Sequence, residues 1–246
     1  MVFLLLAVLL APQDDAAVVA MIAEFDAAFT KTKDPAVRGE LIANLAQTQQ
    51  EKIVSRLSNL AAYEDKAVRM SAVTALATFS SATPDLKKSA SKAMIPGLTA
   101  PYNKTEPEIK KAILAALATI QEETSGKAIA AALDDKDLGV ASAAVAAAVA
   151  LHSKAMIEPL IDCLRDCEKT MRAGQNPVIT GKKPTSAKKG DNEKADPEEL
   201  KRDRAANLVN VLHPALQGLT GQAQLSAAAD WSKWWAANGK TFTLPR

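Results

Sequence analysis

Asp65-Lys66-Ala67-Val68-Arg69-Met70-Ser71-Ala72-Val73-Thr74-Ala75-Leu76 is the stretch on which the fold of this chain turns. It opens on an acid suited to accept from the free N–H groups of a helix start, then runs on as an alanine-rich helix with apolar residues at helical spacing. The same opening recurs at Asp34-Pro35-Ala36-Val37-Arg38, at Glu106-Pro107-Glu108-Ile109-Lys110 and, decayed, at Asp135-Lys136-Asp137-Leu138. With Val37, Val68, Ile109 and Leu138 taken as equivalent, the intervals are 31, 41 and 29 residues. Self-similarity on that scale marks a stacked array whose units bury their apolar faces only against one another.

On either side of each start the helical period continues. Val18, Met21, Ile22, Phe25 and Phe29 predict a first helix over 14–32, paired with one that begins at Pro35 and carries Val37, Leu41, Ile42 and Leu45 inward. Proline is at home in the first turn of a helix, where its missing N–H costs nothing. Further pairs are expected at 50–62 with 67–80, 84–99 with 107–121, and 125–133 with 137–151. A fifth opens at 154–172 and is completed at 198–217. Between its two helices, residues 173–199 hold three glycines, three prolines and almost no large apolar side chain. Such a segment cannot offset its ordering entropy by burial and is expected to be a mobile insertion. Its charges are segregated, with Lys182, Lys183, Lys188 and Lys189 ahead of an acidic block from Asp191 to Glu199.

Composition agrees with a thin-layered helical protein. Of 246 residues only 4% are aromatic although 48% are hydrophobic, so alanine, the best helix former, dominates the apolar set. A net charge of +2 on 30 basic and 28 acidic residues gives no strong electrostatic reason for a nucleic-acid or anionic-lipid partner. At the other end, Trp231, Trp234 and Trp235 share one helical face and are expected to close the array as a capping segment over 221–246, with Asn238-Gly239 ending the helix in the left-handed manner. An aromatic binding surface for a sugar or peptide is the alternative use of three indoles.

The Asp-x-x-Val-Arg starts, complete at Asp34/Val37/Arg38 and Asp65/Val68/Arg69 and conservative at Glu106/Ile109/Lys110, resemble HEAT and HEAT-like repeats over roughly 35–220. The ending Leu216-Gln217-Gly218-Leu219-Thr220-Gly221-Gln222 with the tryptophan helix resembles the C-terminal module of exported bacterial HEAT-repeat proteins. The resemblance implies an all-α, right-handed superhelix of about five antiparallel helix pairs, the second helix of each lining a concave face. It also implies a ladder of Asp and Arg side chains between repeats. Gly139 stands where the fourth start should carry its base, which predicts a looser joint there or a bend in the superhelix.

Val2 to Leu10 are uninterrupted apolar and are followed by Ala11-Pro12, with no Lys or Arg ahead of them. The run is too short to span a bilayer and reads as the apolar region of a signal peptide over 1–13, cleaved near Ala11. The expected address is therefore periplasmic or extracellular, with no transmembrane segment after cleavage and the solenoid occupying 14–220.

Constellations that carry chemistry are sparse. Cys163 and Cys167 stand four apart on a helix whose apolar face they share, and His152 and His213 are the only histidines. The spacings match no zinc-finger pattern, so buried thiols are expected, with a disulfide or a metal site as alternatives. Ser89-Ala90-Ser91-Lys92 matches the S-x-x-K signature of penicillin-recognising enzymes but lacks its S-D-N and K-T-G companions. Asp134, Asp135 and Asp137 read as a capping turn, since the glycine and final glutamate of a calcium loop are missing. The chain is therefore expected to be non-catalytic, with no cofactor and no metal, and to bind a protein or peptide as a scaffold. The residues expected to meet that partner are Asn44, Thr74 and Lys111 on second helices, with Lys182, Lys183, Lys188 and Lys189 of the insertion. A nucleic-acid-binding HEAT-like module is the alternative, and a HEAT-like lyase of the bilin-attaching kind the next; no nucleic acid is expected.

Overall fold

The computed structural model describes residues 15–99, 106–173 and 196–245. Its helices are α1 (Asp15–Lys31), α2 (Pro35–Ala46), α3 (Glu51–Ala61), α4 (Lys66–Ala77), α5 (Pro84–Thr99), α6 (Pro107–Ile120), α7 (Gly126–Ala132), α8 (Leu138–Leu151), α9 (Ile157–Ala173), α10 (Pro197–Thr220) and α11 (Ala228–Asn238). Short 3-10 turns at Thr78–Ser81, Glu123–Ser125 and Lys154–Met156 join some of them.

The helices form two layers. Even-numbered helices pack side by side, α2 on α4, α4 on α6, α6 on α8 and α8 on α10, while α1, α3, α5 and α7 follow one another in an outer layer. Each outer helix also packs on the inner helix that follows it, so every pair closes its own apolar interface and shares a second with its neighbour. Helix α3 shows the division of labour: Ile53, Val54, Leu57 and Leu60 are buried while Glu51, Lys52 and Ser55 face water. Helix α8 is flanked by α6, α7 and α10 and has buried positions around most of its girth (Val140, Ala141, Ala144, Val145, Ala147, Ala148, Leu151). Alanine at those sites keeps the axes close without large side chains to accommodate.

The inner helices start alike. Asp34 caps α2 through Ala36 N–H at 2.9 Å, and Asp65 caps α4 through Ala67 N–H at 2.7 Å and Val68 N–H at 3.2 Å. In the fourth repeat the cap is Asp137, which accepts from Val140 N–H at 2.9 Å. This corrects the register expected from sequence. Caps at 34, 65, 106 and 137 are 31, 41 and 31 residues apart, so Val140, fully buried, is the equivalent of Val37 and Val68, and Leu138 is not. The residue one place further on, which is Arg38, Arg69 and Lys110 in the first three repeats, is the buried Ala141 in the fourth.

The joint expected to be loose at Gly139 is tight. A Cβ built there would meet the Asp137 carboxylate at 3.1 Å and the Lys111 side chain at 3.5 Å. Helix α11 packs against α9 and buries Trp231 completely, while half-buried Trp234 and Trp235 hold Phe242 edge-on at 5.2 and 5.9 Å. Gly239 is not left-handed (φ −56°, ψ −33°), against the sequence expectation. It is small because a Cβ would lie 2.7 Å from the Trp235 carbonyl oxygen and 3.0 Å from its indole.

Candidate interaction surface

Parallel inner helices are tied at both ends. At the N-terminal ends, Arg69 of α4 reaches Glu106, the residue before α6, at 2.6 Å, and Lys110 of α6 reaches Asp135, in the turn before α8, at 2.7 Å. The second pair is the more buried, its side chains 7% and 10% exposed. Asp135 also accepts from Asp137 N–H at 2.9 Å through its other carboxylate oxygen and from the Arg204 guanidinium of α10 through its carbonyl. It thus holds α6, α8 and α10 in register, a role its place in the sequence did not announce.

The expected ladder is real at these joints and different at the first. Arg38 donates to Thr32 O at 2.9 Å and stacks over Phe29 at 4.5 Å and Tyr63 at 5.9 Å instead of meeting an acid. Arg69 likewise donates to Tyr63 O at 2.8 Å, so the arginine of each complete start first closes its own inter-helix turn. Glu106 departs from the capping expectation: its side chain turns to Arg69 rather than to its helix. Its own backbone N–H, and then Arg69, hold its carboxyl below the ordinary value.

At the C-terminal ends the ties are amides. Gln49 Nε2 donates to Thr78 O at 3.4 Å, and Gln121 Nε2 donates to Ala150 O at 2.9 Å, each across 29 residues. Both glutamines stand fifteen places after their cap, 34 to 49 and 106 to 121. The same place in the fourth repeat is His152, whose Nε2 lies 3.2 Å from Pro245 O in the C-terminal segment. Gln121 and His152 both adopt the left-handed conformation there, at φ 55° and 48°. This tie was missed from sequence because glutamine and histidine look unrelated; the distance from the cap is the signal that finds it.

Helices α4, α6 and α8 are engaged on both flanks and at the back, whereas α2, at the end of the array, also leaves Val37 exposed on its open flank. The residue nine places after the cap is Ala43, Thr74, Ala115 and Ala146 in turn, all exposed. Thr74 lies in that row and spends its hydroxyl on Met70 O at 3.0 Å. Asn44, also exposed, is one residue off it, and half-buried Lys111 lies nearer the N-terminal end, beside Gly139. The three second-helix residues singled out from sequence therefore do not share one row. Lys182, Lys183, Lys188 and Lys189 fall outside the described residues.

The constellations weighed for chemistry resolve into structure. Asp135 and Asp137 are an ion-pair partner and a helix cap, and Ser89-Ala90-Ser91-Lys92 lies within the outer helix α5. Cys163 and Cys167 are buried free thiols on α9. Each thiol shifts the other: Cys167 and then burial push the Cys163 thiol up, while Cys163 holds Cys167 below the ordinary thiol value, and Arg204 opposes the rise at the first and adds to the fall at the second. A cleft of about 390 Å³ between α9 and α11 is lined by Arg165, Glu168 and Arg172, but Glu168 already accepts from Ala228 N–H at 2.8 Å in the first turn of α11.

Residues 12–93 match the family model for HEAT repeats. The match takes in both complete starts, at Asp34 and Asp65, from which the resemblance was drawn. Two crystal structures of engineered proteins from the Northeast Structural Genomics Consortium are similar to this chain. One is 16% identical over 89% of this chain and 96% of its own length, the other 18% identical over 94% and 62%, each with a TM-score of 0.41. No curated protein matches the chain.

Proposed function

We propose that this chain is a non-catalytic scaffold that holds a protein or peptide along the exposed side of its inner helices. The observation that carries the reading is the row Ala43, Thr74, Ala115 and Ala146: four exposed, small residues at the same place on successive inner helices. Low relief of this kind leaves an extended surface open to another chain, and HEAT repeats, whose model matches residues 12–93, commonly mediate protein interaction. Asn44 and Lys111 flank the row and would supply polar contacts.

Export to the cell envelope belongs to the same proposal. The apolar run Val2–Leu10 with Ala11 after it supports a cleaved leader, and no helix among the described residues is long and apolar enough to cross a membrane. Mass spectrometry of the protein from its native cell should find an N-terminus near Pro12; an intact Met1 overturns the address.

A photo-crosslinking residue placed at Thr74, Ala115 or Ala146 tests the surface. Adducts shared by these three positions and not formed from Lys92, exposed on outer helix α5, are expected. The same adducts from Lys92, or none from the row, would sink the proposal. Repeating the experiment without residues 174–195 asks whether the insertion lysines contribute: loss of adducts assigns them a role, and unchanged adducts make the row sufficient.

A further inference from the structure

Helix α9 carries three sulfur atoms on one side. Cys163, Cys167 and Met171 follow at successive spacings of four residues, which stacks them along a single face. The thiols are 7% and 6% exposed and stand one helical turn apart, and Met171 is half-buried against the core. A long helical side chain leans back toward the N-terminus, which carries the Met171 thioether over the turn that holds Cys167. Arg204, on the packed neighbour α10, bears electrostatically on both sulfurs, as do Asp134 and, at Cys167, Asp166 with the opposite sign. The Arg204 guanidinium is anchored by Asp135 O, yet its Nε is buried and has no hydrogen-bond partner among the described residues.

We infer that Cys163 and Cys167, with Met171 beside them, form a binding site for a monovalent thiophilic cation of the copper(I) class. Thiolate and thioether ligands select such ions, and a copper(I) ion is satisfied by two or three soft donors. Zinc wants four ligands, and among the described residues no group of three or more His, Cys, Asp or Glu is placed to hold an ion. Binding is a ligand exchange without change of oxidation state. Two S–H bonds break, two S–Cu bonds form, and two protons leave to solvent. The resulting bis-thiolate complex carries one negative charge, which Arg204 offsets, and its sulfur lone pairs give the unpartnered Nε–H an acceptor.

The full-length reduced protein, titrated anaerobically with copper(I) supplied as its bicinchoninate complex, tests this. Withdrawal of one ion per chain is expected, with an ultraviolet thiolate-to-copper band and release of two protons per ion. The chain has only two cysteines, so the band reports on this pair alone. Cys163→Ala and Cys167→Ala should each abolish one-to-one binding. Met171→Leu should weaken it, and Arg204→Gln should lower affinity about 10-fold with unchanged circular dichroism. A wild-type chain that leaves the copper with the chelator overturns the inference, and so does binding of one ion between two chains. Equal affinity in the folded Cys163→Ala/Cys167→Ala double variant would also overturn it. The wild-type titration decides even if a variant fails to fold.

Discussion

At the scale of single residues, Asp135 is the most consequential polar side chain of the array. It is the acid of the most buried ion pair among the described residues and, through its other carboxylate oxygen, the acceptor for Asp137 N–H. Asp135→Ala leaves Lys110 buried without its carboxylate, and removing one partner of a buried pair costs about 3–5 kcal/mol. Asp65→Ala, which deletes a cap on α4, should cost about 1 kcal/mol. Urea unfolding of the two variants should separate them clearly; equal losses would mean that Lys110 finds another partner. Glu106 gives a pH signature. Its carboxyl is held below the ordinary value of 4.5 in the folded chain, so its contribution is present above that pH and is lost as the pH falls through the lowered value. Hydrogen-exchange protection factors in the first turn of α6, taken against the intrinsic rate at each pH, should therefore fall on acidification below 4.5, and Glu106→Gln should abolish that pH dependence. The side chain is 44% exposed, so the effect is local and not a global loss of fold.

At the scale of elements, α11 tests how a terminal helix closes an array. Trp231 is completely buried, and its truncation to alanine should cost about 3–5 kcal/mol. Gly239→Ala should displace Trp235 and cost about 1–3 kcal/mol through overpacking, seen as a red shift and broadening of tryptophan emission. An unchanged spectrum would show that the indole can yield. These elements also show how far the sequence could be read. Helix ends within a few residues and the two-layer repeat were legible because caps, prolines and apolar period agree at Asp34, Asp65 and Pro107. The fourth repeat was mis-registered by two residues because Asp135 and Asp137 are both good caps, and only packing of Val140 chooses between them. Gly239 was read as a left-handed helix end, and nothing in the sequence marked it as a glycine kept small by the indole of Trp235. Of the proposed surface, Thr74 was singled out from the sequence. Its row was not, because alanine at an exposed position leaves no chemical mark in a sequence rich in alanine.

At the scale of the whole molecule, the placement of the ties sets how the array can flex. The α6–α8 joint is stitched by Lys110–Asp135 at one end and Gln121–Ala150 at the other. Among the described bonds, the α4–α6 joint is held by Arg69–Glu106 and Lys66–Glu108 at its N-terminal end, whereas the α2–α4 joint is held by Gln49–Thr78 at its C-terminal end and by aromatic stacking on Arg38 at the other. The half-exposed ionic tie is open to screening by salt, while the amide tie is not. Raising ionic strength should thus widen small-angle scattering profiles slightly in the wild type and markedly less in a Lys66→Met/Arg69→Met variant, where both ionic ties of that joint are gone. A salt response undiminished by the two substitutions would place the compliance elsewhere. The protein then behaves as a leaf spring clamped rigidly in its fourth layer, with the adjoining leaf softened by dissolved ions, while the first keeps an amide tie on its inner side and, on its outer side, the exposed pair Lys52–Asp15 and the half-buried pair Arg56–Asp26. A guest lying along the inner helices would feel a stiffness that changes from one end of its seat to the other.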